Sequence, residues 1–255
     1  MNGGSRSSSI RAIPEIVRVT LRQLLGRRRT ILLLLLSVVP ILMAVVFVAA
    51  GESDVDGFAS SVLDVFSVTM LLPIVAVLFG TAAFGAEIED GTIVYLLAKP
   101  ISRWVVIVGK LIGATALTAL LTMVSVSIAG LIALVPQGEH GMAALIGFLA
   151  AMAVGSVCYV SFFMALSLFT RRALMIGIFY FLIWEGLLSS LLAGIANFSI
   201  RQYSLGVATA FFPMSGQEAR LTPGTALPLA AILVVVALTL ATRRLMRFEL
   251  SGSGD

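Results

Sequence analysis

Three carboxylates stand close together at the end of a long apolar run. Glu87, Glu89 and Asp90 directly follow residues 61–86, in which apolar side chains dominate. Carboxylates that protrude from an apolar segment can form charge-assisted hydrogen bonds to a basic partner. They can equally mark the point at which the segment meets water. The residues themselves leave both interpretations open.

A further carboxylate, Glu185, lies inside another apolar run, next to Trp184. Placing a carboxylate within a membrane span costs about 3 kcal/mol on insertion scales, so it turns toward protein or water. Glu185 is therefore a candidate for a transport path or a proton relay. It is also a candidate for a structural tie that bonds Ser189, Ser190, Tyr180 or a neighbouring span. We favour the tie, because polar side chains join helices in membrane bundles.

Several other chemistries lack the residues that they need. The chain has one histidine, His140, and one cysteine, Cys158, whereas zinc or copper normally needs three or four such ligands. No GxxxxGK[ST] phosphate-binding loop occurs, and neither do the GxSxG and HExxH motifs of hydrolases. The sequence thus predicts no catalytic residue, no metal site and no bound cofactor, and this chain alone is not expected to hydrolyse ATP.

The composition indicates that lipid surrounds much of the chain. Of 255 residues, 59% are hydrophobic and 12% are charged, which is more apolar surface than one soluble core can hide. Apolar runs of about 20 residues match the thickness of a bilayer when they are helical. We predict an all-α membrane protein with six transmembrane helices, at about 30–50, 61–86, 104–135, 142–169, 173–194 and 224–242.

Most of the basic residues beside these runs fall on one side, and just Arg201 and Arg220 lie on the other, in the segment 195–223. Those on the first side are Arg27, Arg28, Arg29, Lys99, Arg103, Lys110, Arg171, Arg172, Arg243, Arg244 and Arg247. Because cytoplasmic flanks carry an excess of Lys and Arg, we predict a multi-pass protein of the cell (plasma) membrane with both termini in the cytoplasm. The net charge of +4 then reflects topology, and nucleic acid is not an expected partner. Asp64, on the other side, is interpreted as interfacial.

The chain divides into four parts. Residues 1–9 are rich in Gly and Ser and are predicted to be disordered. Residues 10–28 form an amphipathic helix, with Ile13, Val17 and Leu21 on its apolar face, that is expected to lie in the membrane interface. The six-span domain occupies 29–247, and 248–255 form a cytoplasmic tail.

A short helix is predicted between spans two and three. Leu96 and Leu97 continue the i, i+3, i+4 pattern of Ile93, and Pro100 ends the helix. It is too short to cross a membrane. In span three, the Gly109 and Gly113 pair has the GxxxG spacing that lets helices approach closely.

These residues carry a family resemblance. The run Glu87-x-Glu89-x-Gly91-Thr92, then Leu96-Leu97, Pro100-Ile101-Ser102-Arg103 and Gly109-Lys110, resembles the signature of type-two ABC transporter permeases, the membrane subunits of ABC exporters. The resemblance implies that the helix before span one is an elbow helix and that the loop after span two is a coupling helix docked on an ATPase. The implied interface residues are Glu87, Glu89, Asp90, Gly91, Thr92, Leu96, Leu97, Lys99, Pro100 and Arg103.

The resemblance also implies the partners. ATP and magnesium would be bound by a separate ABC ATPase subunit, and a second permease subunit, identical or different, would complete a dimer in the lipid bilayer. The function expected from it is that of a permease subunit in an ATP-driven exporter. The alternative is an ion- or proton-coupled secondary transporter in which Glu185 carries the proton.

Overall fold

The computed structural model describes residues 13–25, 28–89, 102–188, 197–213 and 219–250. Within these ranges every regular element is a helix, in agreement with the predicted all-α class. The helices are α1 (Ile13–Leu25), α2 (Arg28–Ala49), α3 (Val55–Phe58, Ala59–Leu71 and Leu72–Glu89, in continuous succession), α4 (Arg103–Ala133), α5 (Glu139–Phe169), α6 (Ala173–Phe179, continued by Tyr180–Leu188), α7 (Ile200–Ala208) and α8 (Pro223–Leu250).

In the described ranges, five helices are long and apolar enough to cross a membrane. These segments are Thr30–Ala49, Val55–Gly85, Arg103–Ala133, Glu139–Phe169 and Pro223–Met246. The predicted span at 173–194 is described only to Leu188, where it forms a shorter apolar helix. The sixth crossing therefore stays a prediction.

The second span begins earlier than the sequence pattern suggests. We predicted a start near residue 61, but α3 begins at Val55 because the Asp54 side chain caps it and accepts a hydrogen bond from the Gly57 amide at 3.1 Å. An N-cap aspartate satisfies an amide that the helix itself leaves without a partner. Asp56, in the first turn, also suits the positive end of the helix dipole. Polar residues thus extend a helix whose apolar pattern starts later.

Helix α5 lies at the centre of the bundle, with α3, α4, α7 and α8 packed around it. Its large side chains Phe148, Tyr159 and Phe163 are fully buried. By contrast, many large apolar side chains of α2 and α8 face outward, including Leu32 and Val235. Exposed apolar faces of this size are unfavourable in water and are expected where lipid is the solvent.

Helix α1 lies directly against α4, where the glycine pair leaves room for it. A Cβ atom added at Gly109 would lie 2.7 Å from Cγ2 of Ile16, and one added at Gly113 would lie 3.0 Å from Cγ2 of Thr20. Thr20 is only 2% exposed. The GxxxG spacing in span three thus allows two helices to pack closely, and its partner is the predicted elbow helix.

We predict that Gly109→Leu separates α1 from α4, because a leucine side chain cannot fit in the space that Ile16 occupies. The measurement is maleimide labelling of a Thr20→Cys reporter in a Cys158→Ala background. The reporter should be protected in the parent protein and labelled in the Gly109→Leu variant. Gly85→Ala is the matched control, since a Cβ at Gly85 would meet nothing within 4 Å. Equal protection in all three proteins would show that α1 does not need the glycine pair.

Candidate functional site

A buried ion pair connects the two helices that flank the predicted coupling segment. Lys110 on α4 lies with its Nζ 2.5 Å from Oε1 of Glu87 on α3. The same ammonium donates to the Ala83 carbonyl oxygen and lies 4.6 Å from the centre of the Phe84 ring. Lys110 is 3% exposed. The carboxylate, the carbonyl oxygen and the aromatic face together replace the water that the ammonium loses on burial.

This pair fixes the geometry at the base of the loop. Glu87 lies in the last turn of α3, and Lys110 lies two turns into α4. Because breaking a buried ion pair leaves an uncompensated charge, the two helix ends are held together rather than merely adjacent. The end of α3 and the start of α4 are therefore held in a defined relative position.

The predicted coupling residues fall partly outside the described ranges. Glu87 and Arg103 are described, and both are partly buried. Glu89 ends α3. The remaining seven, namely Asp90, Gly91, Thr92, Leu96, Leu97, Lys99 and Pro100, lie outside the residues that the structure describes, so their role stays a prediction. We expected the Glu87 carboxylate to contact another subunit. In the structure it forms an ion pair with Lys110 of the same chain.

A second buried ion pair lies toward the opposite end of α3. The Arg201 Nη2 atom donates to both carboxylate oxygens of Asp64, at 2.9 and 2.8 Å, and Nε donates to the Thr69 hydroxyl at 2.7 Å. Asp64 is 3% exposed. Our interpretation of Asp64 as an interfacial residue is therefore wrong. Hydrogen bonds between a guanidinium and a carboxylate are charge-assisted and stronger than neutral ones, and here they join α3 to α7.

Glu185 holds the same end of α7 from another helix. Its Oε1 accepts a hydrogen bond from the Ile200 amide at 2.8 Å, and its Oε2 accepts one from the Ser199 hydroxyl at 2.6 Å. The residue is 2% exposed. A carboxyl group at a helix N-terminus pairs with amides that lack helical partners and suits the helix dipole. The structural tie that we favoured is present, with Ser199 and Ile200 as its main partners.

Both carboxyl groups lie in π-helical stretches, Ala59–Leu71 of α3 and Tyr180–Leu188 of α6. Hydrogen bonds in a π-helix run between residues five apart, so such residues face the same way. Thr69 accordingly donates to Asp64, and Tyr180 donates to Glu185, each at 3.4 Å. The π-helical turns thus place two carboxyl groups against α7 from two sides, and each group also accepts a hydrogen bond from a side chain of its own helix.

Helix α7 is short and almost wholly enclosed. It has nine residues, and all of them except Arg201 are buried. It packs on α5 and α8, and the Ser199 side chain caps it by accepting from the Gln202 amide at 3.3 Å. A nine-residue helix is too short to be stable alone, so its position depends on the two carboxyl groups and on the surrounding core.

The sequence analysis did not predict that Lys110 pairs with Glu87 or that Asp64 pairs with Arg201. The available signal was their isolation, because each is a charge inside or beside an apolar run, and such charges usually pair. Among the described side chains, no group of three or more His, Cys, Asp or Glu residues is arranged to hold a metal ion. The chemistry of the described site is therefore that of ion pairs and hydrogen bonds that lock helices together.

We predict that Asp64→Leu destabilises the protein by up to about 3–5 kcal/mol, because Arg201 would remain as a largely buried charge with its main partner gone. The double variant Asp64→Leu/Arg201→Met should regain most of this loss, since apolar residues often replace a buried pair without cost. Thermal unfolding in detergent measures both, with the exposed Glu52→Leu as control. A double variant no more stable than Asp64→Leu would refute a role for the ion pair.

For Glu185 we predict a difference between two substitutions. Glutamine can still accept from the Ile200 amide and donate to the Ser199 hydroxyl, so Glu185→Gln should cost little. Glu185→Leu leaves both groups buried without partners, at about 1–3 kcal/mol each. Thermal unfolding separates the two cases. Equal damage from both substitutions would mean that the charge of Glu185, rather than its hydrogen bonds, is essential.

Comparison with known proteins agrees with this architecture. Residues 16–250 match the model of a family described as "ABC-2 family transporter protein". The chain is also similar to two proteins named "Probable ABC transporter permease protein NosY". It is 34% identical to the one from Pseudomonas aeruginosa over 94 residues, which are 36% of this chain and 34% of that protein. It is 31% identical to the one from Stutzerimonas stutzeri over 122 residues, 46% of this chain and 44% of that protein.

The aligned stretches cover less than half of either relative, but the family match covers almost the whole chain. The resemblance to type-two ABC transporter permeases, first seen in the motif that starts at Glu87, is thereby confirmed. The apolar helices support a multi-pass membrane protein. The chain belongs to the ABC-2 family of transporter proteins.

Proposed function

We propose that this chain is the membrane-spanning subunit of an ATP-driven exporter in the cell membrane, with both termini in the cytoplasm. A separate ATPase subunit, which binds ATP and magnesium, docks at the segment 87–103. A second permease subunit completes the transporter. Family membership supports a permease subunit, and the basic residues beside the helix ends support the orientation.

The observation that carries this proposal is the Glu87–Lys110 pair. A segment that transmits force from a soluble motor must not bend where it joins the membrane helices. The pair joins the end of α3 to the start of α4, and α1 packs on α4 just beside it. Three helices would therefore move together when the docked segment is pushed.

Helix α3 offers a path from this end to the other. From Glu87 to Asp64 it runs without a break, a distance of roughly 30 Å at the rise of helical residues. Asp64 holds Arg201 at the start of α7. Motion of the docked segment would thus reach α7, and the transporter could change between two discrete arrangements, as coupled machines require.

The ion-coupled alternative is less well supported. It assigns Glu185 the role of proton carrier, but both of its carboxyl oxygens accept hydrogen bonds from residues that start α7. ABC-2 family membership also favours an ATP-driven function. We therefore assign Glu185 to the support of α7.

Exchange of the two charges tests the role of the pair. Glu87→Lys should lower the yield of folded protein and the ATP hydrolysis of the purified complex, because it places two ammonium groups at one buried site. The double variant Glu87→Lys/Lys110→Glu should restore both quantities in part, because a carboxylate at position 110 would face the Ala83 carbonyl oxygen and the Phe84 ring, which suit an ammonium. Glu15→Lys, on the exposed side of α1, is the matched control for charge. A double variant that folds but fails to associate with the ATPase would instead mean that Glu87 contacts the ATPase directly.

Docking itself is tested at the predicted short helix. We expect Leu96→Asp/Leu97→Asp to fold normally, because these residues would face the ATPase, and to lose the ATPase during affinity purification of the tagged chain. The measurements are size-exclusion chromatography for folding, and ATP hydrolysis of the purified material for association. Full retention of a hydrolysing ATPase by this variant would contradict the proposed docking segment.

A further inference from the structure

An apolar groove lies between α5 and α8. Its volume is about 520 Å³, within the usual range for small-molecule sites. Several of its side chains are largely exposed, among them Phe169 (50%) and Ile232 (59%). The groove is lined by Phe162, Ala165, Leu166 and Phe169 of α5, by Leu229, Ile232, Leu233, Val236, Ala237 and Leu240 of α8, and by Asn197, Phe198 and Tyr203.

The groove has the length of one membrane leaflet. From Leu229 to Leu240 it follows α8 over twelve residues, a rise of about 16 Å at 1.5 Å per step. This is about half of the 30 Å hydrocarbon core. A volume of about 520 Å³ spread along about 16 Å leaves a narrow groove. A helix with its side chains is about 10–12 Å across and is too wide for it. A single extended hydrocarbon chain is narrow enough.

One end of the groove is strongly basic. Arg243 and Arg244 follow Leu240 at i+3 and i+4, so they continue the face of α8 that lines the groove. Arg244 donates to the Leu168 carbonyl oxygen at 3.3 Å, and its guanidinium carbon lies 5.6 Å from the centre of the Phe169 ring. Two further arginines, Arg171 and Arg172, come shortly after Phe169 and are exposed. Arg244 thus lies at this end of the groove, and the three other arginines belong to the chain segments where α5 and α8 leave the apolar region.

We propose that this groove binds an anionic phospholipid, with one acyl chain between α5 and α8 and the phosphate on the arginines. An apolar slot of leaflet depth that ends at a basic cluster matches both parts of such a molecule. Basic pockets between membrane helices on the cytoplasmic side bind anionic headgroups, and arginine recognises phosphate with paired hydrogen bonds. The proposal is independent of the ATPase and of the transported substrate.

The test uses the purified full chain in detergent, titrated with dioleoyl-phosphatidylglycerol or with dioleoyl-phosphatidylcholine, and native mass spectrometry to count bound lipids. We expect one tightly bound phosphatidylglycerol per chain and much weaker binding of phosphatidylcholine. Arg171→Gln/Arg243→Gln should weaken phosphatidylglycerol binding by about thirtyfold, from the usual contribution of a basic residue near anionic lipid. Arg18→Gln/Arg22→Gln, which removes the same charge from the exposed side of α1, should have little effect.

Two neighbouring residues of α8 provide a control for the groove itself. Val236 lines it and is 49% exposed, whereas Val235 lies outside it and is 62% exposed. We expect Val236→Trp to remove the bound phospholipid, because the indole fills the slot, and Val235→Trp to leave binding unchanged. Thermal unfolding checks that both variants are folded.

Either of two results would overturn the proposal. Equal affinity for the two lipids in the parent protein would remove the role of the arginines. Unchanged phosphatidylglycerol binding in a folded Val236→Trp variant would show that the lipid binds elsewhere, for example around the bundle surface through charge alone.

Discussion

A polar or charged group inside this bundle must find a counter-charge or hydrogen-bond partners within the protein, because neither lipid nor an apolar core can solvate it. This constraint explains the fixed points of the structure. Lys110 is neutralised by Glu87, and Arg201 by Asp64. Each pair joins helices that are separate in sequence, so the requirement for neutralisation also determines which helices are neighbours and in which register they pack.

The two pairs are connected because Glu87 and Asp64 belong to the same helix. The apolar packing of α3 on α5 depends on close contact of complementary shapes, and a Cβ atom added at Gly80 would lie 3.0 Å from Cβ of Phe163. A buried ion pair does not tolerate sliding, since a shift of a few ångströms leaves both charges without partners. The helix is therefore fixed near both of its ends while its middle is held mainly by shape, an arrangement suited to a part that moves as a rod.

The sequence was sufficient for the class of fold and for most helices, because long apolar runs are a local property. It placed the start of α3 too late, since Asp54 extends the helix into a polar stretch that hydropathy assigns to a loop. It also left Asp64 at an interface. The partner of Asp64 is Arg201, which is 137 residues away, and no local pattern indicates such a pairing. The π-helical turns that aim Asp64 and Glu185 at α7 have no sequence signature that we could have used.

The family motif itself gains a different meaning from the structure. In the sequence, Glu87 and Lys110 belong to one recognisable signature, and the first interpretation of a carboxylate in a docking loop is a contact with the docked subunit. The structure shows instead that the first and last charged residues of the signature bind each other. The predicted contact residues lie between them. A segment that carried force, as we propose for this one, would need a rigid base as well as a contact surface, and a signature that spans both would fit that role. On this interpretation the outer residues of the motif preserve the angle at which the loop leaves the membrane, and only the inner ones specify the partner.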